Sequence, residues 1–141
     1  MWAAGVPLPS TAAAAPSRDL AGDDRKHIVV VDDDTLTLSL IERTLTGYRV
    51  STARDGGEAL LILSTSDPDH LLLTDYLMPV MTGEELVKRA RLQRPGLPVL
   101  IMTGHGKAVA AADPVWWASE RHLVKPFRLE ALRTAVESLI G

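Results

Sequence analysis

Cysteine is absent from the 141-residue chain. Disulfides and thiolate metal sites are thereby excluded, and a reducing cytoplasm fits. Long apolar runs are missing too, the longest falling far short of the ~20 residues that span a bilayer. The first residues lack the cationic start and continuous apolar core of a secretory signal peptide. Basic charge is also scarce: 15 Lys and Arg face 18 Asp and Glu, for a formal net charge of -3. No basic stripe stands out, which argues against nucleic-acid binding. What remains is a soluble, cytoplasmic, globular composition, 46% hydrophobic and 23% charged. Its length suits one domain with a substantial core rather than two.

Residues 1–25 are set apart by composition. The stretch VPLPSTAAAAPSRDLAGDD has no sustained apolar period and reads as a disordered Ala/Pro-rich tail, with Trp2 its candidate docking anchor. Residues 26–141 read as the folded domain, in which strand and helix patterns alternate. Ile28 to Val31 is a continuous β-branched run, expected of a strand buried on both faces. Asp34 or Thr35 can cap a helix whose Leu38, Ile41 and Leu45 face the sheet, and Gly47 stops it. Tyr48 to Ala53 reads as a second strand, Glu58 to Ser64 as a short helix, and Leu71 to Thr74 as a third strand. Gly83 to about Leu92 is helical, Val99 to Met102 a fourth strand, His122 to Val124 a fifth. The last helix runs from about Leu129 to Ile140, with Leu132, Ala135, Val136 and Leu139 at the helical period. Five strands alternating with five helices imply an α/β fold: a doubly wound parallel sheet, order 2-1-3-4-5, with helices on both faces.

Four of these strands stop at polar residues: Asp32 and Asp33 after HIVVV, Asp75 after LLLT, Thr103 after VLIM, Lys125 after HLV. In an open parallel sheet, ligands bind beyond the carboxyl ends of the strands, where the strand order reverses. The four ends therefore point to one shared site of three carboxylates, a hydroxyl and an ammonium. Such a set requires a divalent cation, since neighbouring carboxylates cannot all stay ionised without counter-charge. Oxygen ligands suit Mg²⁺ or Mn²⁺ better than zinc. Asp75 is the expected nucleophile, accepting a phosphoryl group as an acyl phosphate. Asp33 and Asp75 would hold the cation, with Asp32 on a metal-bound water, while Lys125 and Thr103 bind the remaining phosphoryl oxygens. Each residue also has a blander reading: Asp32 to Asp34 as a helix N-cap, Asp75 and Thr103 as turn residues, Lys125 as a solvated lysine. Coincidence at four strand ends favours the site.

These residues carry a family resemblance. VVVDDD after the first strand, TDYLMPVMTG around Asp75, LIMTGH at the fourth strand and LVKPF at the fifth occur in order. Together they make residues 27–140 similar to the receiver domain of two-component response regulators. The resemblance implies a flavodoxin-like fold and phosphotransfer to Asp75 from a histidine kinase or histidine phosphotransfer protein. It also implies that the Leu77 backbone carbonyl is a metal ligand, and that a cis Lys125–Pro126 peptide aims the lysine inward.

Three places depart from the family pattern. His122 stands where receivers carry a Tyr or Phe that turns inward on signalling, so a titratable imidazole replaces that aromatic. Leu77 cannot hydrogen-bond an attacking water, so self-hydrolysis of the phosphoryl group is expected to be slow unless His105 helps. Between residues 104 and 121, Asp113-Pro114 reads as a fresh N-cap followed by proline at the first helical position, which predicts a broken or shifted fourth helix. The adjacent Trp116 and Trp117 cannot both point to the core from one helix. One is expected inside and one partly exposed, as an anchor for a downstream partner or a homodimer.

The leading expectation is a stand-alone signalling receiver, with the last helix ending the chain, rather than a conventional enzyme. A Mg²⁺-dependent phosphohydrolase with an aspartyl-phosphate intermediate is the enzymatic alternative. Its DDDT segment resembles haloacid-dehalogenase-type phosphatases superficially, but the DxDx[TV] pattern fails at Leu36. A pseudo-receiver serving only as an interaction platform is the third reading.

Overall fold

The computed structural model describes residues 24–65 and 71–141; the tail expected over 1–25, with Trp2, lies almost wholly outside them. Five strands form one parallel sheet: β1 (His27–Val31), β2 (Arg49–Ala53), β3 (Leu71–Asp75), β4 (Val99–Thr103) and β5 (Arg121–Val124). Their order is β2-β1-β3-β4-β5, the doubly wound order expected. The β1 sequence HIVVV explains its central place, because every residue in it is buried. Ile28 and Val30 pack to one side with Leu38, Ile41, Leu132 and Val136. Val29 and Val31 pack to the other with Ala59, Leu63, Leu86, Val87 and Ala90. Alternate side chains of a strand face opposite sides of a sheet, so a run without alternation must be covered twice. The covers are α1 (Thr35–Thr44) and α6 (Leu129–Ile140) on the first face, α2 (Gly56–Thr65) and α3 (Gly83–Gln93) on the second. Each fully buried Leu, Ile or Val contributes roughly 1.5–3 kcal/mol.

The helix starts follow from their caps. The Asp34 carboxylate accepts the Leu36 N–H at 3.0 Å and opens α1. Thr82 Oγ1 accepts the Glu85 N–H at 3.2 Å and opens α3. Where one fourth helix would be expected, two short ones stand: α4 (Gly106–Ala112) and α5 (Pro114–Ser119). Asp113 both ends α4, its N–H reaching the Val109 carbonyl at 3.0 Å, and caps α5, its side chain accepting the Trp116 N–H at 3.2 Å. Pro114 fits at the first position of α5, where no N–H is needed. The break was legible in the sequence, and among the described residues it makes six helices instead of five.

Candidate functional site

β1 lies between β2 and β3, so the chain reverses direction of winding on either side of it and a crevice opens between the ends of β1 and β3. Register brings the strand ends level, with Val31 opposite Thr74, Asp75 opposite Met102 and Thr103 opposite Val124. Backbone bonds then fix the flanking residues. Asp32 N–H donates to the Ala53 carbonyl at 3.1 Å, Tyr76 N–H to Met102 at 2.9 Å, and Lys125 N–H to Thr103 at 2.7 Å. The Lys125–Pro126 peptide is cis.

Asp32, Asp33 and Asp75 each offer a carboxylate oxygen, and these oxygens lie within 4.8 Å of one another. Asp32 and Asp75 are buried while Asp33 is exposed. Lys125 Nζ sits 2.9 Å from Asp32 Oδ2 and 3.5 Å from Asp75 Oδ2, bridging the two buried acids. The other oxygens are also engaged: Asp75 Oδ1 accepts the Tyr76 N–H and Asp32 Oδ1 accepts the Asp34 N–H, each at 2.9 Å. Capping falls to Asp34 alone. Its carboxyl is held below the usual carboxylate range by the Thr37 hydroxyl and the Leu36 N–H. Asp32 and Asp33 are therefore left to the crevice.

Electrostatics set Asp75 apart. Burial pushes its carboxyl above the usual range, the Asp32 charge adds to that, and Lys125 only partly offsets both. For Lys125, burial works against the charged form, but the Asp32 hydrogen bond and the Asp75 and Asp32 charges outweigh it, leaving the ammonium harder to deprotonate. One cation thus faces more negative charge than it can neutralise. A set of hard oxygen donors short of positive charge fits a divalent cation such as Mg²⁺.

Thr103 is buried at 1% exposure, and its hydroxyl oxygen accepts the His105 N–H at 2.9 Å. Leu77 lies in the loop after β3 and is 47% exposed. His122 is exposed on β5 and stacks on Trp117, with ring centroids 3.7 Å apart and planes 23° from parallel. Trp116 packs on Tyr76 at 5.8 Å and 48°. The expected split, one tryptophan inside and one partly exposed, is not what forms. Both are half-buried against the same core, and each indole finds its own ring partner on another element.

Sequence reasoning missed the clamp behind Asp75. A Cβ on Gly83 would stand 2.6 Å from the Asp75 carbonyl oxygen and 3.0 Å from Tyr76 Cα, so only glycine lets α3 start there. Gly83 N–H closes the loop onto the Tyr76 carbonyl at 2.7 Å. Within that loop, exposed Val80 takes φ 73°, strained for a β-branched residue, and Met81 N–H bonds the Pro79 carbonyl at 2.8 Å. The available signal was a glycine opening a helix soon after a strand-end acid.

A doubly wound domain with an acid pocket at its switch point defines the class. Within that class, residues 28–137 match the family model described as the response regulator receiver domain, and the chain belongs to this family, a module of two-component signalling. It is 38% identical over 114 residues to the DNA-binding transcriptional regulator NtrC of Klebsiella pneumoniae, covering 79% of this chain and 24% of the relative. It is 34% identical over 116 residues to the response regulator MprA of Mycobacterium ulcerans, covering 81% of this chain and 50% of the relative. The chain thus matches between a quarter and a half of the length of these relatives. The crystallised chemotaxis protein CheY4 of Vibrio cholerae superposes with a TM-score of 0.74 at 31% identity, covering 82% of this chain and 98% of that one. Among the described residues no helix is long and apolar enough to cross a membrane.

Proposed function

We propose that this receiver accepts a phosphoryl group on Asp75 from a phosphohistidine of a histidine kinase or phosphotransfer protein, in the cytoplasm, and signals by protein contact. The observation that carries the reading is the grouping of the Asp32, Asp33 and Asp75 oxygens beside a single bridging ammonium. An Asp75 carboxylate oxygen forms the new bond to phosphorus. The donor's P–N bond breaks, and its electron pair stays on the imidazole nitrogen, which takes a proton. Asp32, Asp33, Asp75 and the Leu77 carbonyl would hold Mg²⁺ or Mn²⁺, which when bound neutralises charge on the phosphoryl oxygens. Lys125, already aimed into the crevice at Asp32 and Asp75, exchanges an acid for a phosphoryl oxygen. The Thr103 hydroxyl donates to another.

Leu77 offers no group to orient water, so unless His105 supplies one the acyl phosphate is long-lived and turnover is slow self-dephosphorylation only. The downstream contact is with a protein partner or a second copy of the chain. The phosphohydrolase reading is not favoured, since Asp34, the second acid its motif would need, serves as a helix cap. Incubating the chain with acetyl phosphate and Mg²⁺ should add the mass of one phosphoryl group, and Asp75→Asn should abolish the gain. Steady turnover of a phosphate ester would replace this reading with the enzymatic one.

A further inference from the structure

The loop between β3 and α3 carries one proposed metal ligand, the Leu77 carbonyl, yet it lacks the strand-to-strand bonds that fix the other ligands. Asp32 and Tyr76 each donate an N–H to a neighbouring strand. Among the described residues no donor reaches the Leu77 carbonyl. The loop is closed by the Gly83 N–H on the Tyr76 carbonyl and pinched by the Met81 N–H on the Pro79 carbonyl, at 2.7 and 2.8 Å. Between them Val80 is fully exposed at φ 73°. An exposed valine gains no burial there, so its strained backbone persists only because its surroundings hold it.

Met81 supplies the hold. It packs half-buried against the core on the Val29 and Val31 side of the sheet. Its side chain lies on Gly56, the buried first residue of α2: a Cβ there would stand 2.6 Å from Met81 Sδ and 3.3 Å from both its Cβ and its Cγ. Turning the thioether aside would relieve the first contact but not the others, because Cβ moves with the loop backbone. Gly56 is itself anchored. The Asp55 carboxylate accepts the Glu58 N–H at 2.8 Å and the Glu58 carboxylate accepts the Arg54 N–H at 2.7 Å, a reciprocal cap around the start of α2. The adjacent Gly57 is exposed, and a Cβ on it would meet only Asp55 Oδ1, at 3.4 Å.

We propose that Met81 is a positioning residue for the metal site, its seat on Gly56 holding the strained loop where the Leu77 carbonyl joins Asp32, Asp33 and Asp75 as a ligand. The inference rests on the phosphoacceptor reading and deepens it: the start of α2, which offers no ligand, sets cation affinity. Without the seat the loop relaxes at Val80 and the carbonyl is lost to the cation. Asp32 and Asp75 stay in place, since strand register holds them.

The test is the rise in melting temperature of the full chain with Mg²⁺ concentration, which yields a Kd. The melt without metal reports the cost to the fold alone. Gly56→Ala and Met81→Ala should each weaken Mg²⁺ binding about tenfold, the scale for loss of an outer-shell support. The double variant should bind no more weakly than Met81→Ala, because both changes remove the same contact. Gly57→Ala should bind as the unsubstituted chain does. Lowered melts with an unchanged Kd would make the contact merely structural and overturn the inference. Additive losses in the double variant, or an equal loss in Gly57→Ala, would overturn it too. Should Gly56→Ala fail to fold, Met81→Ala against Gly57→Ala decides. All of these leave the phosphoacceptor reading standing, whereas an unsubstituted chain whose melt ignores Mg²⁺ overturns the metal site and this inference with it.

Discussion

The crevice and the α4–α5 face sit side by side on one sheet, yet they are built from different kinds of information. In the crevice, each side chain is delivered by a strand end, and register alone brings Asp32, Asp75, Thr103 and Lys125 together. On the face, position depends on rings meeting rings: Trp116 with Tyr76, Trp117 with His122. The first arrangement is fixed by backbone hydrogen bonds and changes little with side-chain detail. The second is fixed by packing and has alternatives. On the function proposed above, chemistry falls where the backbone decides, and readout where side chains do.

Substitutions should respect that division. Lys125→Ala removes the only cation in the crevice among the described residues, so phosphoryl uptake should slow about 100-fold, the scale for loss of one preorganised charge partner. The near-ultraviolet circular dichroism of the Trp116–Tyr76 and Trp117–His122 pairs should not change in the unphosphorylated variant; if it does, the two regions are not separate. Leu77→Asn supplies an amide that can orient water, and dephosphorylation should speed up about tenfold. An unchanged acyl-phosphate lifetime would remove Leu77 from the account.

Asp75→Asn should raise the melting temperature without metal. The Asp75 pKa is raised in the folded state, so its ionised form penalises folding. That penalty is full above the folded pKa and fades as pH falls through it to below the unfolded value. The variant's advantage should therefore be present at neutral pH and gone below about pH 4. An advantage that persists in acid would point to packing instead.

Smaller effects belong to the face. Asp113→Ala removes the α5 cap and should cost about 1 kcal/mol, with uptake of phosphate unchanged. His122→Ala should cost about 0.5–1 kcal/mol of stacking, read from urea melts, again with the uptake rate unchanged. A slowed uptake in either variant would show the face reaching back into the chemistry.

The same division explains what was legible beforehand. Alternating strands and helices gave the order 2-1-3-4-5, and the strand-end acids, threonine and lysine followed from it. Asp113-Pro114 announced the helix break because a cap and a proline act locally. The charge shortfall was legible from three acids against one lysine, but the bridging of two of those acids by Lys125 was not, since the sequence carries no distances. Nor was the seating of Trp116 and Trp117, because each partner ring comes from another element. Gly83 was read as a helix start; that it touches the Asp75 backbone needed the packing of α3 on the end of β3.

The central claim is that the phosphoryl group goes to Asp75 and nowhere else. Borohydride reduction of the phosphorylated chain converts an aspartyl phosphate to homoserine, which peptide sequencing can locate. The account predicts homoserine at position 75 alone. Homoserine at position 32, or label only on histidine, would contradict it.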